Sequence, residues 1–530
     1  MRHLATAILA TLATLLLHAQ DDVQMRKLQM AAYAMTNLYV DHVPADSLVE
    51  AAVKAMLAEL DPHSTYMDAE EVKQFNERMS GNFCGIGITF NILRDTLVVI
   101  QALPDSPAER AGMMAGDRVV AVDSTAIAGS KLSNDAITSM IRGEAGTTVR
   151  LKVMRHGENE PLNMDVTRGK VDVKSVDAAV MLRPGVGYIR VLNFGATTAD
   201  EFDKALSTLN RRKMHSLVVD LRGNGGGYLG SAVDMVSRFL GKGDMVVYTI
   251  GRDGKRRDIK ARAGNKMQGL RLVMLVDDYT ASAAEIFSGA VQDHDRGIVV
   301  GRRTFGKGLV QNVLDLPDGS MLRLTTSRYY LPSGRMIQKP YAGGVEAYAH
   351  EIDDRYRHGE MFSADSIDFP DSLRYKTLRL GRTVYGGGGV MPDIFVPLDT
   401  TRTNTLHRAL LTKGCVARAA LSYADSHRDG LAKEYRDAED FAVRFDDSDG
   451  LMQSLLQEAQ ASDMTVDSLQ LAAARPRLTM QLKGLVARDI WTVEAYVIVT
   501  ATMDDTLQRS LALLEDGTYE RILALPPRRK

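Results

Sequence analysis

Ser282 and Lys307 are the residues whose types and spacing could do chemistry together. Ser282 stands in Asp277-Asp278-Tyr279-Thr280-Ala281-Ser282-Ala283-Ala284-Glu285, and Lys307 follows in Gly306-Lys307-Gly308, with Gln311 just beyond. A hydroxyl attacks a carbonyl only if a neighbour takes its proton, and a desolvated, neutral lysine amine can do so where no histidine is at hand. The pair therefore supports acyl transfer, with serine as nucleophile and lysine as general base. His294 cannot replace the lysine: it sits about three turns along the helix that Ser282 would open, roughly 18 Å away at the usual rise.

Two blander readings compete for these residues. Ser282 with Glu285 three positions on is a capping box, so the serine is expected to open a helix in either case. That placement suits catalysis, because the first backbone N–H groups of a helix have no internal partner and can hold a developing oxyanion. The N–H of Ala283 is the expected donor. A second is expected from the turn Asp220-Leu221-Arg222-Gly223-Asn224-Gly225-Gly226-Gly227, at Gly226 or one residue to either side, where glycine lets backbone approach a substrate closely. Gly301-Arg302-Arg303-Thr304-Phe305-Gly306-Lys307 matches the first seven positions of a phosphate-binding P-loop, but Gly308 stands where such a loop needs Ser or Thr for magnesium. No histidine or cysteine spacing suggests a metal, and no cofactor is implied.

The elements that must position these residues follow from periodicity. Residues 1–19 have the charged, apolar and small-residue zones of a signal peptide, and no later apolar run is long enough to cross a bilayer, so an exported, periplasmic, soluble protein is expected. Met25 to Tyr39 and Asp46 to Leu60 carry helical spacing, with Asp46 or Ser47 as cap, giving a helical region over 20–80. From Val171 the chain alternates strand and helix: strands 187–191, 216–221, 272–276 and 297–300, helices 198–209, 230–240 and 283–292. That alternation argues an α/β domain with a largely parallel sheet, whose sites gather at the carboxyl ends of the strands. The glycine turn and the Ser282 segment both fall there.

Between these regions, residues 81–168 read as strands 85–90, 96–103, 118–122 and 147–153 with helices 106–112 and 133–142. The segment resembles a PDZ domain, above all in Pro104-Asp105-Ser106-Pro107-Ala108-Glu109-Arg110-Ala111-Gly112 and Gly116-Asp117-Arg118-Val119. The resemblance implies binding of an extended peptide as an added strand. Its terminal carboxylate would lie on Gly85, Ile86 and Gly87, beside groove walls Ile137, Met140 and Ile141.

The whole pattern resembles the C-terminal processing peptidases, or tail-specific proteases. The match runs through Leu60-Asp61-Pro62-His63-Ser64-Thr65-Tyr66, the PDZ module, the glycine turn and Thr280 to Glu285 with Gly289-Ala290-Val291-Gln292-Asp293. It continues through Gly301 to Gln311 and Tyr329-Tyr330-Leu331-Pro332-Ser333-Gly334-Arg335. It implies a crotonase/ClpP-like α/β core over 169–397, Ser282 as nucleophile, Lys307 as base, Gln311 orienting the lysine, and Gly226 with Ala283 as oxyanion donors. The family often has Pro where Gly225 stands, so a looser turn is expected. The function implied is an exported endopeptidase acting on unstructured carboxyl tails of exported proteins; the alternative is a peptide-binding scaffold on the same fold without turnover.

The remainder sets limits. Val384 to Asp393 resembles a segment of bacterial family members that returns to the core, but the four glycines Gly386 to Gly389 are read in preference as a flexible loop without chemistry. Residues 398–530 read as helix-rich, with helices at 406–423 and 451–460, fit to pack on the core or to pair two protomers. The 65 basic and 67 acidic residues balance, and no basic block with interleaved aromatics suggests nucleic acid. Cys84 and Cys415 are the only cysteines, so packed cores rather than disulfides must hold the fold.

Overall fold

The computed structural model describes residues 23–93, 96–130, 132–262, 267, 269–400 and 403–525. The expected signal peptide over 1–19 lies outside the described residues. Two compact units are present. The first combines the N-terminal segment up to Val72 with Gln311–Thr326 and Tyr341–Ala349, and the second holds the rest of the chain.

In the first unit, helices span residues 23–37 and Ala45–Ala58. The second of these is not capped as expected. Pro44 is its N-cap, and Asp46 sits inside the first turn, where its carboxylate favours the helix's positive end and accepts the Ser47 N–H. The short strand Thr65–Met67 pairs antiparallel with residues 321–323, Thr65 opposite Arg323. The Asp61 carboxylate collects the N–H groups of His63 and Ser64 and the hydroxyls of Ser64 and Thr325. Burial pushes this carboxyl up, but those hydrogen bonds win and hold it below the usual range.

The second unit contains a six-stranded sheet in the order Val176–Arg183, Val186–Val191, Ser216–Asp220, Arg271–Val276, Ile298–Gly301 and Ile394–Phe395. The first pair is antiparallel and the others are parallel. Parallel strands are buried on both faces, which is why Ser216–Asp220 is buried at every position. On one face Leu217, Val219 and Met274 pack with helices Thr198–Arg211, Leu229–Val236 and Ala283–Asp293. On the other, Val218, Val273 and Val300 meet Leu507, Leu511 and Tyr519 from the C-terminal end of the chain. The last helices of the C-terminal region thus complete the core.

The PDZ segment forms its own sheet, in the order Ile88–Leu93, Thr96–Ala102, Arg118–Val122, Thr148–Met154 and Leu162–Thr167. Helices Pro107–Arg110 and Asn134–Ile141 accompany it. The strand expected over 85–90 is broken in two, because Gly87 takes φ +81 and a Cβ there would lie 2.4 Å from Ser106 Cβ. The helix expected over 406–423 is also two, Thr405–Thr412 and Cys415–Glu434, divided at Gly414 with φ +69. Together with the helices through Val493–Thr500 they enclose a separate core around Phe441, Leu455, Leu478 and Leu482.

Candidate active site

The nucleophile candidate lies where a parallel strand ends. Strand Arg271–Val276 stops, Asp277 caps the turn by accepting the N–H groups of Tyr279 and Thr280, and helix Ala283–Asp293 begins directly after Ser282. Ser282 is half-buried at φ 57°, ψ −116°. Such a backbone costs a non-glycine residue about 1–3 kcal/mol and persists only where its surroundings impose it. Here they do.

One carboxylate imposes it. Glu285 is fully buried, and its Oε2 accepts the N–H of Ser282 at 2.8 Å and that of Lys307 at 2.9 Å. Its Oε1 accepts the N–H of Gly306 at 2.8 Å and the hydroxyl of Thr304. The expected Glu285 half of the capping box is present, but the group also reaches across to the lysine. The carbonyls are joined as well: the hydroxyl of buried Tyr329 donates to Lys307 O and, at 3.3 Å, to Ser282 O. Ser282 and Lys307 are therefore linked through both their amides and their carbonyls. Burial raises the Glu285 carboxyl above its usual range, against the pull of its four donors.

The stretch bearing Lys307 is held just as closely. Phe305 N–H donates to Thr280 O, Gly308 N–H to Gln338 Oε1, and Lys339 N–H to Gly306 O. Strand Leu309–Asp315 follows rather than a helix, so the P-loop geometry is absent. The four glycines expected to be a flexible loop pack behind it. Gly389 has φ +92, a Cβ there would lie 2.4 Å from Thr304 O, and Val390 N–H donates to Thr304 Oγ1 at 2.6 Å. Gly306 in turn leaves 3.0 Å between its imagined Cβ and Gly389 N. Close backbone approach, not mobility, explains these glycines.

The glycine turn is pinned to the nucleophile segment. Ala281 N–H donates to Asn224 O, Gly223 N–H to Asp277 Oδ1, and Thr280 Oγ1–H to Leu221 O. Gly226, at φ +97, lies so close that a Cβ would stand 2.8 Å from Ser282 Cβ and 3.0 Å from Ala283 N. Its own N–H donates to Asn224 Oδ1 at 2.8 Å, and Asn224 Nδ2 fixes the turn to Val191 O. The expected looseness is not seen. Gly225 faces open space at an ordinary φ, so a side chain there would meet no neighbour. His294 caps the far end of the helix and bonds Met245 O.

Gln311 belongs to the first unit, where its Nε2 donates to Thr325 Oγ1, which donates on to Asp61 Oδ1. The Asp61 to Ser64 motif is thus the far end of a hydrogen-bonded chain supporting Gln311. In the PDZ module Gly85 is drawn into the pairing of Asn82–Gly85 with Gly169–Asp172, and Ile86 is buried. Ile137 and Ile141, expected as groove walls, are 1% and 5% exposed and sit in the module's core. Met140 lies on the same helix face and packs against the same core, but it is only partly buried and is the one of the three that keeps open surface.

Sequence reasoning missed the reach of Glu285 to Lys307 and the role of Tyr329. Both lay within quoted motifs, but a carboxylate or hydroxyl shared by backbones far apart in sequence has no periodic signature. It also missed Arg335, fully buried and paired with Asp293 at 2.8 Å, which joins the end of the Ser282 helix to the loop after Tyr330.

Fold and site together define a mixed α/β domain with an attached PDZ module and a serine placed at the carboxyl end of a parallel strand. The family described as Peptidase family S41 matches residues 185–347, the PDZ domain residues 84–166, the activating protease CtpB N-terminal domain residues 12–71, and a family of unknown function residues 406–492. The carboxy-terminal-processing protease of Bartonella bacilliformis is 38% identical over 304 residues, 56% of this chain and 68% of that one. A probable CtpA-like serine protease of Staphylococcus haemolyticus is 33% identical over 368 residues, covering 68% and 72%. The carboxy-terminal processing protease CtpB of Bacillus subtilis is 32% identical over 365 residues, covering 68% and 74%. The chain belongs to the carboxy-terminal processing proteases and is a serine-type peptidase.

Proposed function

We propose that this peptidase cleaves through a Ser282–Lys307 dyad and selects substrates by their carboxyl tails. The observation that carries the reading is the pairing of the two residues by Glu285 Oε2 and the Tyr329 hydroxyl. Lys307, in its neutral form, takes the proton of Ser282 Oγ as the oxygen attacks the peptide carbonyl, then passes it to the leaving amine. Water repeats the sequence on the acyl-enzyme.

The Ala283 N–H, first of the helix Ala283–Asp293, faces the oxyanion. The glycine turn beside it supplies the second donor, Gly226 or an adjacent glycine, the Gly226 N–H being given to Asn224 Oδ1 in this structure. The PDZ module takes a free carboxylate on its 85–87 loop, with Met140 beside the tail. Strand addition needs an extended chain, so unstructured tails are the substrates. The charged, apolar and small-residue zones of 1–19 make exported proteins the class encountered.

A fluorophosphonate probe tests the dyad directly. The full chain should be labelled at Ser282, and Ser282→Ala should lose both labelling and peptide cleavage, by about a millionfold in rate. Labelling with no cleavage of any unstructured tail would support the scaffold alternative. Cleavage surviving Ser282→Ala would overturn the assignment.

A further inference from the structure

Among the described residues the C-terminal helices bring no reacting group to the site, yet one of these helices is fitted to the PDZ module. Helix Cys415–Glu434 places buried Leu421 against Val98 and Ile100. Strand residues alternate between faces, and Leu97 and Val99 point into the module's core with Ile137 and Ile141 of the helix that borders the groove. Val98 and Ile100 therefore belong to the opposite face, away from that helix. Without Leu421 they would be a bare apolar patch.

One turn beyond Leu421, Asp425 enters the PDZ turn at Gly116. That glycine has φ +90, and a Cβ there would lie 2.2 Å from Asp425 Oδ1, so only glycine admits the carboxylate. Asp425 is a poorly compensated group. Arg118 and Arg428 stand 3.9 and 3.7 Å away, beyond good hydrogen-bond distance, and no hydrogen bond reaches its buried Oδ2. His156 and buried Asp489 also act on it by charge. Arg428 spans the junction, donating to Asp489 O at 2.9 Å and to Ala115 O at 3.5 Å.

We propose that helix Cys415–Glu434 is a latch that holds the PDZ module by the sheet face away from its peptide groove, and that the latch tightens as pH falls. This assigns a function to residues within the matched family of unknown function. Burial against Gly116, with no cation within good hydrogen-bond distance, raises the Asp425 carboxyl above its usual range. The latched state therefore takes up protons more readily than the released one, so protonation favours latching and ionisation opposes it. The groove remains accessible in either state.

Hydrogen exchange tests this without reading turnover, so its failure is distinct from failure of the dyad. The full chain is compared with Leu421→Glu and Asp425→Asn at about pH 7.5 and about pH 5.5, after correction for intrinsic exchange. Residues 96–102 and 113–118 should exchange about tenfold faster in Leu421→Glu, while Thr148–Met154 is unchanged. The parent should gain protection of those segments on acidification, and Asp425→Asn should be protected at both pH values. Should Leu421→Glu unfold the helices around it, Val98→Glu places the charge on the PDZ side and should deprotect residues 96–102, 113–118 and 415–434, with Thr148–Met154 again unchanged. Unchanged protection in the folded charge variants would overturn the latch. Protection in the parent that does not vary with pH, or pH dependence surviving in Asp425→Asn, would overturn the acid response.

Discussion

A serine and a lysine can act as a dyad only when their backbones are fixed relative to each other, and one glutamate and one tyrosine fix the backbones of Ser282 and Lys307. Glu285 Oε2 receives both amides and Oε1 receives Gly306 and Thr304. Glu285→Gln preserves shape but not sense: in either orientation its NH2 meets a backbone N–H. We expect kcat/KM to fall about a hundredfold, near 2.7 kcal/mol, with the loss in kcat and the thermal midpoint little changed because a buried charge is removed as well. An active Glu285→Gln enzyme would make the carboxylate a helix cap only. Tyr329→Phe should cost about tenfold in kcat, the worth of a buried hydrogen bond, with KM unchanged. For the base, Lys307→Arg should show no turnover above background at any pH, since guanidinium stays protonated; a pH series of single-turnover assays checks this.

The strands and helices of the core were legible in the sequence because parallel strands read as apolar runs and amphipathic helices carry their own period. Strands Ser216–Asp220 and Arg271–Val276 and helix Ala283–Asp293 fall within a residue or so of expectation. Close approach between distant loops was not legible. Composition favoured a flexible loop at Gly386 to Gly389 over the return to the core that the resemblance offered, whereas close approach to Met336, Leu373, Arg303 and Thr304 in turn leaves no room for side chains there; in the same way Gly414 ended a helix that periodicity alone would have continued. Two glycine substitutions separate necessity from permissiveness. Gly389→Ala adds a methyl 2.4 Å from Thr304 O at φ +92 and should destabilise by about 3 kcal/mol while lowering activity through displacement of the Lys307 stretch. Gly225→Ala, in open space at an ordinary φ, should leave both nearly unchanged. Thermal melts and peptide assays on the two variants decide it; equal effects would detach the four-glycine segment from the site.

At the scale of the molecule, the PDZ module was recognisable from Ser106 to Gly112 and Gly116 to Val119 because each stretch encodes a turn or cap with fixed chemistry. Ser106 caps Pro107–Arg110, and Asp117 is buried with Arg155 at 2.7 Å. Its ligand-facing residues were less legible, since period 3.6 alone does not say which stripe of Asn134–Ile141 faces inward; two of the three expected walls are core. The loop that would hold a carboxylate is better defined by strain than by pattern. Gly87 at φ +81 against Ser106 turns the chain between strands Asn82–Gly85 and Ile88–Leu93. If that loop receives a terminal carboxylate, recognition depends on the charge at the very end of the tail as well as on the apolar surface that Met140 offers. Binding to the full Ser282→Ala chain isolates recognition from cleavage. A peptide with a free carboxyl terminus and apolar last residues should bind at least about tenfold more tightly than its amide, the loss of one charge-assisted hydrogen-bonded group, and Gly87→Ala should erase the difference by closing the turn. Equal affinity of acid and amide, measured by calorimetry, would remove the 85–87 loop from recognition while leaving the dyad untouched.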